Sequence, residues 1–198
     1  MRIGIDFDNT IVSYDDLFHL IATEKKLIPS NIDKNKLSVR NYLRSTGRED
    51  EWTRMQGEVY GLRMSEAKIY PGALEFMFAA RSQGHELFII SHKTKTPFMG
   101  PPYDLHEAAQ AWVSSNLRCS NEFLFDAGHL FYELTKEAKI DRISEVGCDI
   151  FIDDLPEILA MDSFPINTRK ILFDADGHHQ GSAFENISSW NELGPLVF

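Results

Sequence analysis

Residues 1–10 read MRIGIDFDNT, and the interpretation of the whole chain starts from this stretch. Its bulky apolar residues favour a strand, and the run is too short for a core helix, so it predicts a buried β-strand. Side chains two residues apart on a strand point the same way, so Asp6 and Asp8 should share one site. Two carboxylates that close resist being ionised together. A bound cation, or a proton held by one of them, would relieve the repulsion.

Apolar strand patterns alternate with helical patterns along most of the chain. Further strands are predicted over residues 85–91, 123–125, 148–154 and 169–173, with a short additional strand at 129–132. Helices are predicted over residues 15–27, 72–82, 104–117 and 135–145. This alternation predicts an α/β fold, a Rossmann-like doubly wound parallel sheet of about five strands with helices on both faces.

One segment interrupts the alternation directly after the first strand. After the predicted helix at residues 15–27, residues 31–68 carry more charge, contain short helical patterns and show no strand pattern. We therefore predict a core domain formed by residues 1–12 and 69–198, with residues 13–68 as a helical insert.

Polar side chains follow several of the predicted strands, at the point where each strand ends. They are Asp6, Asp8, Ser91, Asp153 and Asp154. Right-handed crossovers bring the carboxyl ends of parallel strands to one edge of the sheet, where ligands bind. The sequence therefore predicts that these side chains converge on a single site.

Four elements, taken in order, resemble the motifs of the haloacid dehalogenase-like (HAD) hydrolases. The first is the Asp-x-Asp-x-Thr stretch at residues 6–10, and the second is Ser91 after an apolar strand. The third is a lysine upstream of the last acidic strand, and the fourth is the pair Asp153-Asp154 that closes that strand. The resemblance covers nearly the whole chain apart from the insert, and it implies a phosphatase acting on a small phosphorylated metabolite.

The resemblance implies a catalytic role for each of these groups. Asp6 would be the nucleophile that forms an aspartyl-phosphate, which splits one hard step into two. Asp8 would give a proton to the leaving group and later take one from water. Ser91 would donate a hydroxyl hydrogen to the phosphoryl group, and a lysine would supply positive charge. Lys139 is the preferred lysine because its neighbours look packed, and Lys136 stays open as the alternative.

The predicted cofactor is Mg²⁺, which prefers a few protein oxygen ligands completed by water. The expected ligands are Asp6, the backbone carbonyl of Asp8, and Asp153, with Asp154 as a second ligand or an orienting group. The adjacent residues His178 and His179 lie in a loop after the fifth strand and are interpreted as surface rather than metal ligands.

In HAD hydrolases, an insert at this position is a cap that closes over the site and reads the leaving group. The candidate substrate-contacting residues of the predicted cap are Arg40, Arg44, Trp52, Arg54, Tyr60 and Arg63. In the loop after Ser91, the candidate phosphate-binding residues are His92, Lys93 and Lys95. A solvated surface position is the alternative interpretation for each.

Charge and composition limit the classes of molecule that the protein is expected to bind. The chain has 198 residues and a formal net charge of −10, which argues against binding nucleic acid or an anionic membrane. No membrane span and no signal peptide are predicted, so we expect a cytoplasmic protein with a small phosphorylated substrate. The oligomeric state is left open. The alternative functions are a phosphomutase, a halide-releasing hydrolase of the same fold, and a non-catalytic metabolite-binding relative.

Overall fold

A computed structural model describes residues 1–119, 122–179 and 181–198 and divides into two compact units. Unit 1 comprises Met1–Val12, Ile69–Lys93 and Asn116–Phe198, and unit 2 comprises Ser13–Lys68 and Thr94–Ser115. Residues 94–115 therefore lie in unit 2, whereas the sequence interpretation placed them with the core domain. The reason is long-range packing within unit 2, where buried Trp112 donates its indole N–H to the carbonyl of Ala67 at 2.9 Å.

The strands follow the chain in this order: β1 Arg2–Ile5, β2 Val12–Ser13, β3 Lys68–Ile69, β4 Glu86–His92, β5 Arg118–Cys119, β6 Glu122–Phe123, β7 Leu130–Glu133, β8 Ile150–Asp153, β9 Arg169–Phe173 and β10 Glu185–Ile187. Six of them form one sheet in unit 1, in the order β10-β9-β8-β1-β4-β7, and all its neighbouring strands are parallel. Short two-stranded sheets join β2 with β3 and β5 with β6.

The helices are α1 Asp15–Glu24, α2 Lys36–Ser45, α3 Glu49–Gly57, α4 Ala73–Ser82, α5 Leu105–Asn116, α6 Lys136–Val146, α7 Pro156–Leu159 and α8 Leu193–Val197. A π-helical turn, Glu58–Leu62, follows α3. The prediction of a Rossmann-like parallel α/β sheet is confirmed. Among the described residues, no helix is long and apolar enough to cross a membrane.

Both edges of the main sheet differ from the sequence prediction. The predicted strand at residues 123–125 is not in this sheet, and the edge strand is β7, the segment expected only as a short addition. The opposite edge, β10, was not predicted at all. Edge strands contact a neighbour on one side only, so their apolar pattern is weaker than that of a central strand.

The core of unit 1 surrounds the central strands. One buried cluster contains Phe88, Ile90, Ile140, Ile143, Cys148, Phe151, Ile158, Leu159, Phe164 and Leu172. Gly4 lies in β1 against this cluster, and a Cβ atom there would approach Phe151 Cδ2 to 2.6 Å and Cys148 Sγ to 2.7 Å. Only glycine therefore lets the strand pack this closely, and Asp6 directly follows this strand.

Unit 2 has a core of its own, built largely from aromatic side chains. The rings of Phe18 and Trp52 stack with centroids 4.7 Å apart, and Tyr60 meets Phe18 edge-on at 5.7 Å. Trp52 is only 3% exposed. Trp52 therefore packs the interior of unit 2, which disfavours its predicted contact with a substrate.

Candidate active site

Carboxylates from two adjacent strands of unit 1 meet at the carboxyl edge of the sheet. Asp6 directly follows β1, Asp153 ends β8, and β1 and β8 are paired neighbours. One carboxylate oxygen from each of Asp6, Asp153 and Asp154 lies within 4.8 Å of the other two. Two oxygens bound to one Mg²⁺ at about 2.0–2.1 Å lie at most about 4.2 Å apart, so a common ion requires at most a small inward shift of these oxygens. We call these three residues the carboxylate trio.

A lysine from α6 bridges two members of the trio. Lys139 Nζ lies 2.6 Å from Asp6 Oδ1 and 2.7 Å from Asp153 Oδ2, and the Lys139 side chain is 1% exposed. Lys136 instead has a side chain that is 42% exposed, and its Nζ lies 3.5 Å from Glu157. The structure therefore brings Lys139, and not Lys136, to the trio.

The position of Lys139 follows from the way α6 begins. Thr135 is its N-cap, and the Thr135 hydroxyl accepts a hydrogen bond from the backbone N–H of Ala138 at 3.1 Å. Lys139 comes one turn later and shares the buried face of the helix with Ile140 and Ile143. The cap fixes where the helix starts, and the helix packing then directs the ammonium toward the sheet edge.

Burial and mutual proximity dominate the electrostatics of the trio. Burial raises the pKa of Asp153, Lys139 opposes this rise, and the neighbouring Asp6 charge adds to it. Burial alone would lower the pKa of Lys139, but Asp153 and Asp6 together raise it above its ordinary value. Lys139 is therefore an ammonium. Counted at formal charges, three carboxylates and one ammonium give −2 at this edge.

That charge and donor set fit a divalent cation. All three side chains offer hard oxygen donors, which Mg²⁺ prefers, and one lysine neutralises only part of their charge. Asp154 is also tied to the site, because the Thr10 hydroxyl donates to its Oδ1 at 3.3 Å. The described residues that could jointly hold a metal ion are therefore Asp6, Asp153 and Asp154.

The side chain of Asp8 takes a different partner. Lys93 Nζ lies 2.7 Å from Asp8 Oδ2 and 2.9 Å from Asp8 Oδ1. The Lys93 side chain is 3% exposed and that of Asp8 is 21% exposed. In the sequence, Lys93 stood out only as one of three polar residues after Ser91, and its pairing with Asp8 could not be read from that spacing.

Ser91 lies near the end of β4, which pairs with β1 on the side opposite β8. Its side chain is buried, and Ser91 Oγ has no hydrogen-bond partner among the residues that the structure describes. A buried hydroxyl without a partner is uncommon in proteins and suggests that a ligand completes its bonding.

The remaining residues of the Ser91 loop are placed differently from Lys93. His92 is partly buried, and burial lowers the pKa of its imidazole. Lys95 Nζ lies 3.8 Å from Asp104, and the Lys95 side chain is 68% exposed. These placements give no support to a direct phosphate contact by Lys95.

Most of the candidate residues in the predicted cap contact other parts of unit 2. Arg44 pairs with Glu49, Arg54 with Glu51, and Arg63 with Glu24 and Glu66. Arg40 differs, because its buried Nε has no hydrogen-bond partner among the described residues.

Tyr60 lines a cavity of about 120 Å³ within unit 2. The other lining residues are Thr53, Gln56, Gly57, Thr94, Pro97, Phe98 and Leu105. The cavity thus combines apolar and aromatic side chains with one amide and a few hydroxyl groups, a lining that is common in ligand pockets.

The two adjacent histidines stabilise a loop. The backbone N–H groups of His178 and His179 both donate to the Asp174 carboxylate at 2.8 Å. The described residues that could jointly hold a metal are those of the carboxylate trio, which does not include either histidine.

The parallel six-stranded sheet of unit 1 identifies a class of proteins to which this chain is similar. The chain has the fold of the HAD hydrolases, and the predicted resemblance is confirmed at the level of the fold. A HAD-family hydrolase from Deinococcus radiodurans, solved with bound phosphate and sodium, has a TM-score of 0.59 at 15% identity, covering 97% of this chain and 92% of that one. A β-phosphoglucomutase from a Pyrococcus species has a TM-score of 0.56 at 14% identity, covering 99% of this chain and 96% of that one.

A relative similar in sequence comes from Oceanobacillus iheyensis and is described as a candidate nucleotidase. It is 26% identical over 203 residues, which cover 98% of this chain and 97% of that protein. No family model matches the chain.

Proposed function

We propose that the protein is a Mg²⁺-dependent phosphatase that works through an aspartyl-phosphate on Asp6. The observation that carries the proposal is the buried cluster in which Asp6 contacts Lys139 and lies beside Asp153 and Asp154. A carboxylate held between an ammonium and further carboxylates suits phosphoryl transfer, because it can attack phosphorus while the surrounding charges balance the phosphoryl oxygens.

In the first half-reaction, an oxygen of the Asp6 carboxylate attacks the phosphorus of the monoester. The bond between phosphorus and the leaving-group oxygen breaks, and protonated Asp8 gives its proton to that oxygen. The products are the alcohol, the phosphorylated Asp6 side chain and an ionised Asp8. This use of Asp8 as acid is general acid catalysis, which typically contributes about 10²–10⁴-fold in rate.

In the second half-reaction, a water molecule attacks the phosphorus of the acyl phosphate. Asp8 accepts a proton from this water, the bond between phosphorus and the Asp6 oxygen breaks, and inorganic phosphate leaves. Asp6 is again a carboxylate and Asp8 is again protonated, so the cycle closes without another reactant.

The other residues orient and neutralise the transferring group. Lys139 would balance charge on the phosphoryl oxygens, and the Ser91 hydroxyl would gain the hydrogen-bond partner that it lacks among the described residues. When bound by Asp6, Asp153, Asp154 and the Asp8 carbonyl, Mg²⁺ would offset the negative charge that the phosphoryl group brings to the trio.

For the substrate, we propose a nucleoside monophosphate. The support is the description of the Oceanobacillus iheyensis relative as a candidate nucleotidase.

The test is phosphate release from a panel of nucleotides, sugar phosphates and an aryl phosphate, with and without Mg²⁺. We expect turnover that requires Mg²⁺ and that Asp6→Asn abolishes. Asp141→Asn is the matched control, because Asp141 is an exposed aspartate on α6. An Asp6→Asn protein as active as the wild type would exclude the mechanism.

The same panel separates the alternatives. Movement of the phosphoryl group between positions of a sugar, without release, would indicate a phosphomutase. Metal-independent release of halide from haloacids would indicate a dehalogenase. Tight binding of a phosphorylated metabolite with no phosphate release would indicate a non-catalytic relative.

A further inference from the structure

We infer that Lys93 is a positioning residue that holds the Asp8 side chain in the orientation needed for proton transfer. The inference rests on the proposed function, since it concerns the group that protonates the leaving oxygen. It adds a residue that the four sequence motifs do not include.

The geometry of the pair is well defined. Lys93 Nζ contacts both carboxylate oxygens of Asp8, at 2.7 and 2.9 Å, across 85 residues of chain. A lysine that lies astride both oxygens restricts rotation of the carboxylate, whereas a contact with one oxygen would leave it free to turn.

Lys93 is itself firmly anchored. Its backbone N–H donates to the carbonyl of Glu133 at 2.8 Å, which ties the residue to the end of β7. Its Nζ also lies 5.7 Å from the centroid of the Phe7 ring, and Phe7 is the residue between Asp6 and Asp8 in the sequence. A fixed backbone and a fixed ammonium give Asp8 a rigid support.

The exposures of the two side chains show which of them faces the opening. The Lys93 side chain is 3% exposed, and that of Asp8 is 21% exposed. Lys93 is therefore the buried partner of the pair, and part of the Asp8 side chain stays exposed to solvent. Buried lysines are rare and costly unless paired, and a fully structural position would be filled more favourably by an apolar side chain.

The predicted signature is a dependence on the leaving group. An alkyl phosphate releases a strongly basic alkoxide and needs the proton from Asp8, whereas p-nitrophenyl phosphate releases a stable phenolate and does not. We expect Lys93→Met to lower kcat/KM for a nucleoside monophosphate by about 10–100-fold, the usual effect of removing a supporting partner. The decrease in kcat/KM for p-nitrophenyl phosphate should stay within about threefold.

Three further variants make the test specific. Lys93→Arg keeps a cation and should recover much of the lost activity toward the alkyl substrate. The double variant Lys93→Met/Asp8→Asn should be no less active toward the alkyl substrate than Asp8→Asn alone. A residue that acts through Asp8 has nothing left to orient once Asp8 is replaced. Lys68→Met is the matched control, since it removes a lysine–aspartate pair at the surface, where the Lys68 side chain is 69% exposed.

Several outcomes would overturn the inference. Equal losses for both substrates, with weaker inhibition by inorganic phosphate, would make Lys93 a direct phosphate ligand. Unchanged kinetics, or a further loss on top of Asp8→Asn, would also contradict it. If Lys93→Met does not fold, Lys93→Arg is compared with the wild type, and equal losses of kcat/KM for the alkyl phosphate and for p-nitrophenyl phosphate decide against the inference. A wild-type chain that hydrolyses neither substrate would instead overturn the proposed function, and with it this role.

Discussion

Lys139 Nζ lies 2.6 Å from Asp6 Oδ1, although 133 residues separate the two in the chain. The same nitrogen lies 2.7 Å from Asp153 Oδ2, so one buried ammonium ties α6 to the ends of β1 and β8. The stability of unit 1 and its candidate chemistry are therefore coupled through a single side chain, because an unpaired buried charge is far more costly than a paired one.

Replacing this lysine should destabilise the fold. We expect Lys139→Met to lower the free energy of unfolding by about 3–5 kcal/mol, since it leaves two desolvated carboxylates without their cation. Lys136→Met, on the same helix but at a half-exposed position, should change it by less than about 0.5 kcal/mol. Urea unfolding followed by circular dichroism measures both, and equal effects would contradict the assignment of Lys139 to the trio.

Magnesium should stabilise the folded protein independently of any turnover. Binding to the folded state alone gives about 2.7 kcal/mol at 100 times the dissociation constant. We expect the thermal unfolding temperature to rise with Mg²⁺ and to return on chelation. Asp154→Asn should reduce the rise at subsaturating Mg²⁺, whereas Asp162→Asn, at an exposed position, should not. The same rise in all three proteins would argue against a metal on the trio.

The close packing of β1 makes Gly4 sensitive to a single added methyl group. Gly4→Ala should lower the free energy of unfolding by about 1–3 kcal/mol, because the new Cβ would overlap Phe151 and Cys148. Gly128 has no atom within 4 Å of an added Cβ, so Gly128→Ala should be neutral or slightly stabilising. Chemical denaturation of the two variants in parallel checks the difference, and a neutral Gly4→Ala would refute the packing argument.

The N-cap of α6 should contribute measurably to stability. Thr135→Ala removes the hydroxyl that accepts from the Ala138 N–H and should cost about 1 kcal/mol of unfolding free energy. Ser114 is a suitable comparison, because its hydroxyl only donates back to Gln110 within α5 and caps nothing. Ser114→Ala should therefore stay within about 0.5 kcal/mol of the wild type. Similar losses in both proteins would mean that the cap is unimportant.

The Cys148 thiol should be unreactive while the protein is folded. Burial raises its pKa to about 12, and the charge on Asp149 adds to the rise. The unperturbed pKa of a cysteine is about 8.5, so the thiolate fraction at pH 8 should fall on the order of a thousandfold on folding. The alkylation rate of the peptide that contains Cys148, measured by mass spectrometry with and without urea, tests this. Rapid alkylation of the native protein would contradict it.

The local pattern of the chain was enough to predict a parallel α/β sheet, its central strands and the edge where polar groups collect, but not its two edge strands. The reason is that strand and helix periodicity is written in neighbouring residues, and the parallel topology then sends every strand end to one edge. Asp6, Asp153 and Asp154 could therefore be expected to converge even though more than 140 residues separate the first from the other two.

Relationships between distant segments could be read only from the tertiary structure. The sequence already favoured Lys139 over Lys136, but the contacts of Lys139 with Asp6 and Asp153 exist only once α6 packs on the sheet. The pairing of Lys93 with Asp8 depends on how β4 and β1 align. The grouping of residues 94–115 with unit 2 depends on where Trp112 packs. In each case the deciding energy comes from a contact across many tens of residues, and local periodicity carries no information about such a contact.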